Sequence, residues 1–164
     1  MNIRAAIITL SDKGSKGERE DESGRTIREM IAGIPALVGH YEILPDEKLR
    51  IIEVLSRLSD SGTIDLIITT GGTGVSARDV TPEATRAVID RELPGMAEAM
   101  RAESLKKTPH AMISRAVAGI RKQTLIVNLP GSPKAVRENL AVILPALPHA
   151  IEKIKGDPRE CGSA

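Results

Sequence analysis

Three short apolar stretches, each running into a polar or glycine-rich loop, constrain this chain more than any other feature. Ile3 to Leu10, Ile64 to Thr69 and Thr124 to Asn128 lack the regular polar alternation of strands with one wet face. Strands buried on both sides read this way, and they belong to parallel sheets lying between two layers of helices. The intervening segments carry helical spacing, so the chain predicts an α/β fold, a three-layer sandwich with a central, mostly parallel sheet. A weaker strand at Val38 to Leu44 contains Gly39, which suits a sheet edge.

The helices announce themselves by caps and prolines. Ser23 is a plausible N-cap for a helix placing Ile27, Met30, Ile31 and Ile34 on one face, and Asp46 after Pro45 can cap a second with Ile51, Ile52, Leu55 and Leu58 inward. Thr81-Pro82, Pro94, Pro109 and Ser132-Pro133 each open a helix, proline being tolerated in a first turn where no N–H is needed. Pro145 and Pro148 are expected to kink or split the last one. At 164 residues one domain is expected, spanning 1–157, with a flexible tail at 158–164.

Composition narrows the function classes. Lys and Arg number 23 against 22 Asp and Glu, so no long-range field draws in nucleic acid or an anionic membrane. Tyr41 is the only aromatic residue, which removes the stacking platforms of single-strand binders. Cys161 has no partner for an internal disulfide, His40, His110 and His149 are widely spaced, and no apolar run reaches the ~20 residues of a membrane span. A reduced, cytoplasmic protein is expected.

The chemistry concentrates in loops that leave strand ends, where open α/β sheets bind their ligands. Thr69-Thr70-Gly71-Gly72-Thr73-Gly74-Val75-Ser76-Ala77-Arg78-Asp79-Val80-Thr81-Pro82 leaves the middle strand, and its glycines let several N–H groups face one anion. The helix starts too late for a dinucleotide fingerprint, and no Gly-Lys-Ser/Thr follows. Asp79 in this loop and Asp46 after the weaker strand would stand at the same sheet edge as two hard oxygen donors, an arrangement suited to a magnesium nucleotide. Ser11 and Asp12 form a further wall, and Pro130-Gly131-Ser132 opens another helix N-terminus. A ligand-free turn, a cap at Asp46 and a cap at Ser132 remain the plainer readings of each motif taken alone.

The motifs Thr69 to Gly74, Arg78-Asp79-Val80-Thr81-Pro82-Glu83-Ala84, Ser114-Arg115-Ala116 with Ala118-Gly119, and Leu129-Pro130-Gly131-Ser132-Pro133 together resemble the molybdenum-cofactor biosynthesis family called MoaB/Mog. The resemblance runs from the first strand to about Asp157. Glu103 to Met112 is similar to the branch holding molybdopterin adenylyltransferases and the related gephyrin domain. It implies a molybdopterin-binding-domain-like fold, a homotrimer, and Mg²⁺-dependent transfer of AMP from ATP to the phosphate of molybdopterin with release of pyrophosphate. By the same resemblance Asp46 and Asp79 are the essential acidic, metal-holding positions. Ser11, Asp12, Thr70, Gly71, Gly72, Thr73, Gly74, Ser114, Pro130, Gly131 and Ser132 would bind nucleotide and molybdopterin. A molybdate-inserting enzyme is the implied downstream partner. The rival readings are a non-catalytic molybdopterin-binding or scaffold member of this family and an unrelated nucleotide-binding enzyme.

Overall fold

The structure, a computed structural model, describes residues 2–159. Its strands are β1 (Ile3–Leu10), β2 (Ala36–Leu44), β3 (Leu66–Thr70), β4 (Arg91–Glu92), β5 (Ala118–Arg121) and β6 (Thr124–Leu129). They form one sheet of order β2-β1-β3-β6-β5-β4. The four apolar strands pair parallel, while the unforeseen β4 and β5 add an antiparallel border. As its glycine implied, β2 is an edge strand. Ala5 pairs with Val38 and Ala6 with His40, so Gly39 is the extra residue of a bulge.

The helices are α1 (Asp12–Ser15), α2 (Glu22–Ile31), α3 (Lys48–Asp60), α4 (Thr81–Val88), α5 (Pro94–Leu105), α6 (Pro133–Ile143) and α7 (Leu147–Ile154). The period-two alternation of β1 divides the interior. Ile3, Ala5 and Ile7 pack with residues of α2, α5, α6 and α7 on one face, and Ala6, Ile8 and Leu10 with residues of α3 and α4 on the other. Each fully buried isoleucine or leucine contributes about 1.5–3 kcal/mol, so these two cores hold the sandwich together.

Several local expectations give way. Asp21, not Ser23, caps α2 by accepting from Gly24 N at 2.8 Å, which frees Ser23 for a longer-range bond. Asp46 does not cap α3, which begins after Glu47 and has no side-chain cap, and its side chain turns instead to the first N–H of α1. The final helical segment splits where its prolines require, with a 3-10 turn at Leu144–Ala146 between α6 and α7. Met96 and Met100 are buried in this chain's own core, as are Leu140, Ile143, Leu147 and Ile151. The apolar stripes of α5, α6 and α7 are therefore consumed largely within the chain. Cys161 and most of the tail expected at 158–164 lie outside the described residues.

Parallel pairing also sets where function can reside. β2, β1, β3 and β6 end side by side at Leu44, Leu10, Thr70 and Leu129, so the loops after them share one rim.

Candidate active site

At the centre of that rim the chain leaves β3 through two glycines with left-handed backbones, Gly71 at φ +99° and Gly72 at φ +65°. A Cβ on Gly71 would collide with the Leu10 carbonyl oxygen, and one on Gly72 with Thr81 Oγ1 while standing 3.0 Å from Asp46 Oδ1. Glycine here is a demand of both conformation and space. Thr81 ties the turn down, its Oγ1 donating to Gly71 O at 2.9 Å and its N–H to Gly72 O at 3.2 Å. Among the described residues the N–H groups of Gly72, Thr73 and Gly74 have no protein acceptor. They are free to meet an anion.

Neighbouring loops are bonded to this turn. Thr70 Oγ1 donates to Pro130 O at 2.6 Å, and Ser23 Oγ at the start of α2 donates to Gly131 O at 2.7 Å. Ser132 does cap α6, accepting from Ala135 N at 3.2 Å, yet it also faces the cavities. Two cavities flank the turn and share Gly72, Gly131 and Ser132 as common floor. One, of about 430 Å³, is lined among others by Thr73, Gly74, Asp79, Ser114 and Pro130. The other, of about 540 Å³, is lined by Ser11, Asp46, Thr70 and Gly71. Every expected site residue thus stands on this double cleft except Asp12, which touches it through Asp46.

The acidic residues are arranged around Gly72. Asp12 and Asp46 exchange bonds, Asp12 N–H donating to Asp46 Oδ2 at 3.1 Å and Asp46 N–H to Asp12 Oδ1 at 3.0 Å. Arg78 clasps Asp12 with Nε at 2.9 Å and Nη2 at 2.6 Å, and this holds the Asp12 carboxyl below the usual carboxylate range. Burial has the opposite effect on Asp46 and raises its pKa, with the charges of Asp12 and Asp79 adding to the rise. Asp46 Oδ1 is buried and has no hydrogen-bond donor. Asp79 lies beside Gly74 across the turn and accepts from Ser76 N at 2.8 Å. An acceptor oxygen without a donor fits a hard cation. Among the described residues no three acidic, histidine or cysteine side chains converge into a metal cage. A cation here would draw further ligands from phosphate and water, as Mg²⁺ characteristically does.

Two supporting groups escaped sequence reasoning. Arg115 donates to Gly74 O at 2.6 Å and Asp79 O at 2.7 Å and pairs with Glu83, pinning the Gly74 to Asp79 loop to the first turn of α4. Its only signal is the short Ser114-Arg115 motif. Asp21 receives Thr9 Oγ1 at 2.5 Å and the Tyr41 hydroxyl, fixing α2 against β1 and β2 where it borders the larger cavity. Burial and this carboxylate push the Tyr41 hydroxyl up to about 12. Arg101, Ser104, Thr108, His110, Glu138 and Asn139 supply further polar lining to the smaller cavity.

Known proteins share this arrangement of strands and loops. Residues 6–149 match the protein family described as "Probable molybdopterin binding domain". A molybdopterin adenylyltransferase of Helicobacter pylori is 45% identical over 157 residues, covering 94% of this chain and 89% of that protein. The Escherichia coli K12 protein of the same name is 44% identical, covering 84% and 72%. A crystal structure of the molybdopterin biosynthesis enzyme MoaB from Thermus thermophilus superposes with a TM-score of 0.89 at 53% identity, covering 96% of this chain and 99% of that one.

Proposed function

Since this chain belongs to the probable molybdopterin binding domain family, we propose that it is a molybdopterin adenylyltransferase working at the double cleft in molybdenum cofactor biosynthesis. The observation that carries this reading is the meeting of two cavities over Gly72, Gly131 and Ser132, with Asp46 on one side and Asp79 on the other. A transferase that joins two phosphorylated molecules needs such a junction, because the attacking and leaving oxygens must lie in line at one phosphorus.

In this reading ATP occupies the larger cavity and molybdopterin the smaller one, beside Ser114. The terminal phosphate oxygen of molybdopterin attacks the α-phosphorus of ATP. A new P–O bond forms, the bond to the α,β-bridging oxygen breaks, and pyrophosphate leaves with the electron pair. The nucleophile is already ionised near neutral pH, so positioning and charge neutralisation matter more than a general base. The free N–H groups of Gly72, Thr73 and Gly74 receive phosphate oxygens, and the α6 N-terminus at Ser132 faces the same charge. Asp46, through its undonated Oδ1, and Asp79 would hold Mg²⁺. When bound, the cation offsets charge on the phosphates and stabilises the leaving pyrophosphate. With no phenylalanine or tryptophan in the chain, the rings rest on aliphatic side chains and peptide planes, and polar groups such as Asn139 read their edges.

Incubating the purified chain with molybdopterin, ATP and Mg²⁺ and looking by mass spectrometry for adenylylated molybdopterin tests this. Absence of that product, with both substrates shown to bind, would favour the non-catalytic member of the family, against which the paired Asp46 and Asp79 argue. The same reading takes the protein as a cytoplasmic homotrimer handing its product to a molybdate-inserting enzyme. The exposed Leu105, Met112 and Ile113 beside the smaller cavity supply apolar surface for association. A monomer mass in light scattering would remove the trimer. No helix among the described residues is long and apolar enough to cross a membrane.

A further inference from the structure

The clasp between Arg78, in the β3–α4 loop, and Asp12, at the start of α1, stands beside the larger cavity and is joined to its wall through Asp46. The Arg78 side chain is 60% exposed and that of Asp12 38% exposed. A pair so open to water is weakly held and readily exchanged. Beneath it, Asp12 is locked to Asp46 by reciprocal bonds, and Asp46 keeps one buried oxygen without a donor. Asp12 already spends both oxygens, Oδ1 on Arg78 and on Asp46 N–H and Oδ2 on Arg78. While the clasp is closed, Asp12 is poorly placed to serve a cation, although it is the carboxylate bonded to the one that can.

The guanidinium fork that fits a carboxylate fits a phosphate equally well, and a polyphosphate offers more charge. We propose that Arg78 exchanges partners when the nucleotide arrives, leaving Asp12 for the polyphosphate and thereby releasing Asp12 as an additional oxygen donor beside Asp46 for the divalent cation. This inference rests on the adenylyl-transfer reading of the cleft. Arg78 in its resting place stands in for the cation, neutralising Asp12 and Asp46. After the exchange the same charge lies against the ATP phosphates, and the carboxylates it leaves are neutralised by the incoming ion. The exchange couples nucleotide entry to completion of the ion site, so neither is bound at full strength alone.

The test uses the full chain, Mn²⁺ as a spectroscopic probe followed by electron paramagnetic resonance, and α,β-methylene-ATP, whose bridging carbon blocks transfer. Arg78→Ala removes the clasp and its charge. It should bind Mn²⁺ more tightly than the parent without nucleotide, and bind the analogue about tenfold more weakly when Mn²⁺ is present. Asp12→Asn retains an acceptor for Asp46 N–H but frees Arg78. It should show the reverse, weaker Mn²⁺ binding and tighter binding of the metal-free analogue. These opposite signs are the signature of partner exchange. A clasp that only stiffens the loops would weaken both ligands in both variants, and that result, or no change in either, would overturn the proposal. If the parent protein bound neither Mn²⁺ nor the analogue, the adenylyl-transfer reading itself would fail. Parent binding of both without the inverted pattern would sink the exchange alone.

Discussion

Asp46→Asn should make the protein inactive and more stable at once. The carboxylate stands near two others, its Oδ1 is buried with no donor, and burial raises its pKa. Leaving a buried acceptor unsatisfied costs about 1–3 kcal/mol. Asparagine keeps an acceptor for the Asp12 N–H and places its amide nitrogen where the undonated oxygen stood, so the gain comes from removing the buried charge beside Asp12 and Asp79. Set against the lost attraction to Arg78, a net gain of about 1 kcal/mol at pH 7 is expected. For a chain of this size that raises the melting midpoint by roughly 2–4 °C. The pH dependence fixes the cause. Because the folded-state pKa of Asp46 lies above its unfolded value, the native carboxyl is favoured in its protonated form. The penalty therefore vanishes below the unfolded pKa, builds as pH rises from there to the folded pKa, and is complete above it. Urea titrations of parent and variant between pH 3 and pH 7 should converge in acid and separate toward neutrality. Adenylyl transfer, followed in parallel, should be lost. A variant no more stable than the parent at pH 7, or an advantage that persists unchanged in acid, would refute the account of Asp46 as an undonated, cation-seeking oxygen.

Other perturbations separate positioning from support. Arg115→Ala should lower the turnover number more than it raises KM, and Arg115→Lys should not rescue it, since a point charge cannot reach Gly74 O, Asp79 O and Glu83 together; steady-state kinetics of both variants decide this. Gly72→Ala should lose both stability and nucleotide affinity, because its Cβ enters space held by Thr81 and Asp46, whereas Gly131→Ala, with 3.3 Å to Gly71 Cα, should be milder; thermal unfolding beside calorimetric titration with α,β-methylene-ATP compares them. Asp65, 2% exposed and paired with Arg4 and Lys155 at the opposite end of the sheet, has its pKa pushed up by burial but drawn down to about 2 by those partners. Its stabilisation should be complete above the ordinary carboxylate pKa and fade as pH falls toward 2, and Asp65→Asn should cost about 3 kcal/mol in urea unfolding while leaving ligand affinity unchanged.

Much of this architecture is legible in the residues because burial on both faces leaves a strong mark. The unbroken apolar runs of β1, β3 and β6 have no other comfortable home, and Thr81-Pro82 and Ser132-Pro133 state where α4 and α6 begin. The short antiparallel edge strand β4 is illegible for the same reason in reverse, since Arg91 and Glu92 are both exposed and charged. Periodicity cannot say which neighbour Met96 and Met100 meet, because their spacing is the same whether they face their own sheet or another subunit. Within the cleft the backbone-driven parts, Gly71 to Gly74 and Pro130 to Ser132, are readable from composition. Side chains acting over long separations are not. Arg115 reaching Glu83 and Asp21 reaching Tyr41 depend on strand order, which local pattern does not encode.

Tyr41 gives the molecule an optical voice. It is the only aromatic residue in the chain, so all ultraviolet emission excited near 280 nm arises from one phenol. That phenol hydrogen-bonds to Asp21, which borders the larger cavity, and it carries Arg28 over its ring at 5.0 Å. A carboxylate acceptor is a natural quencher of an excited tyrosine hydroxyl, so any ligand that draws Asp21 aside should brighten the emission, and one that tightens the contact should dim it. The absence of tryptophan, which leaves the protein nearly dark, also leaves this single signal uncontaminated, with occupancy of the cavity readable without an attached dye.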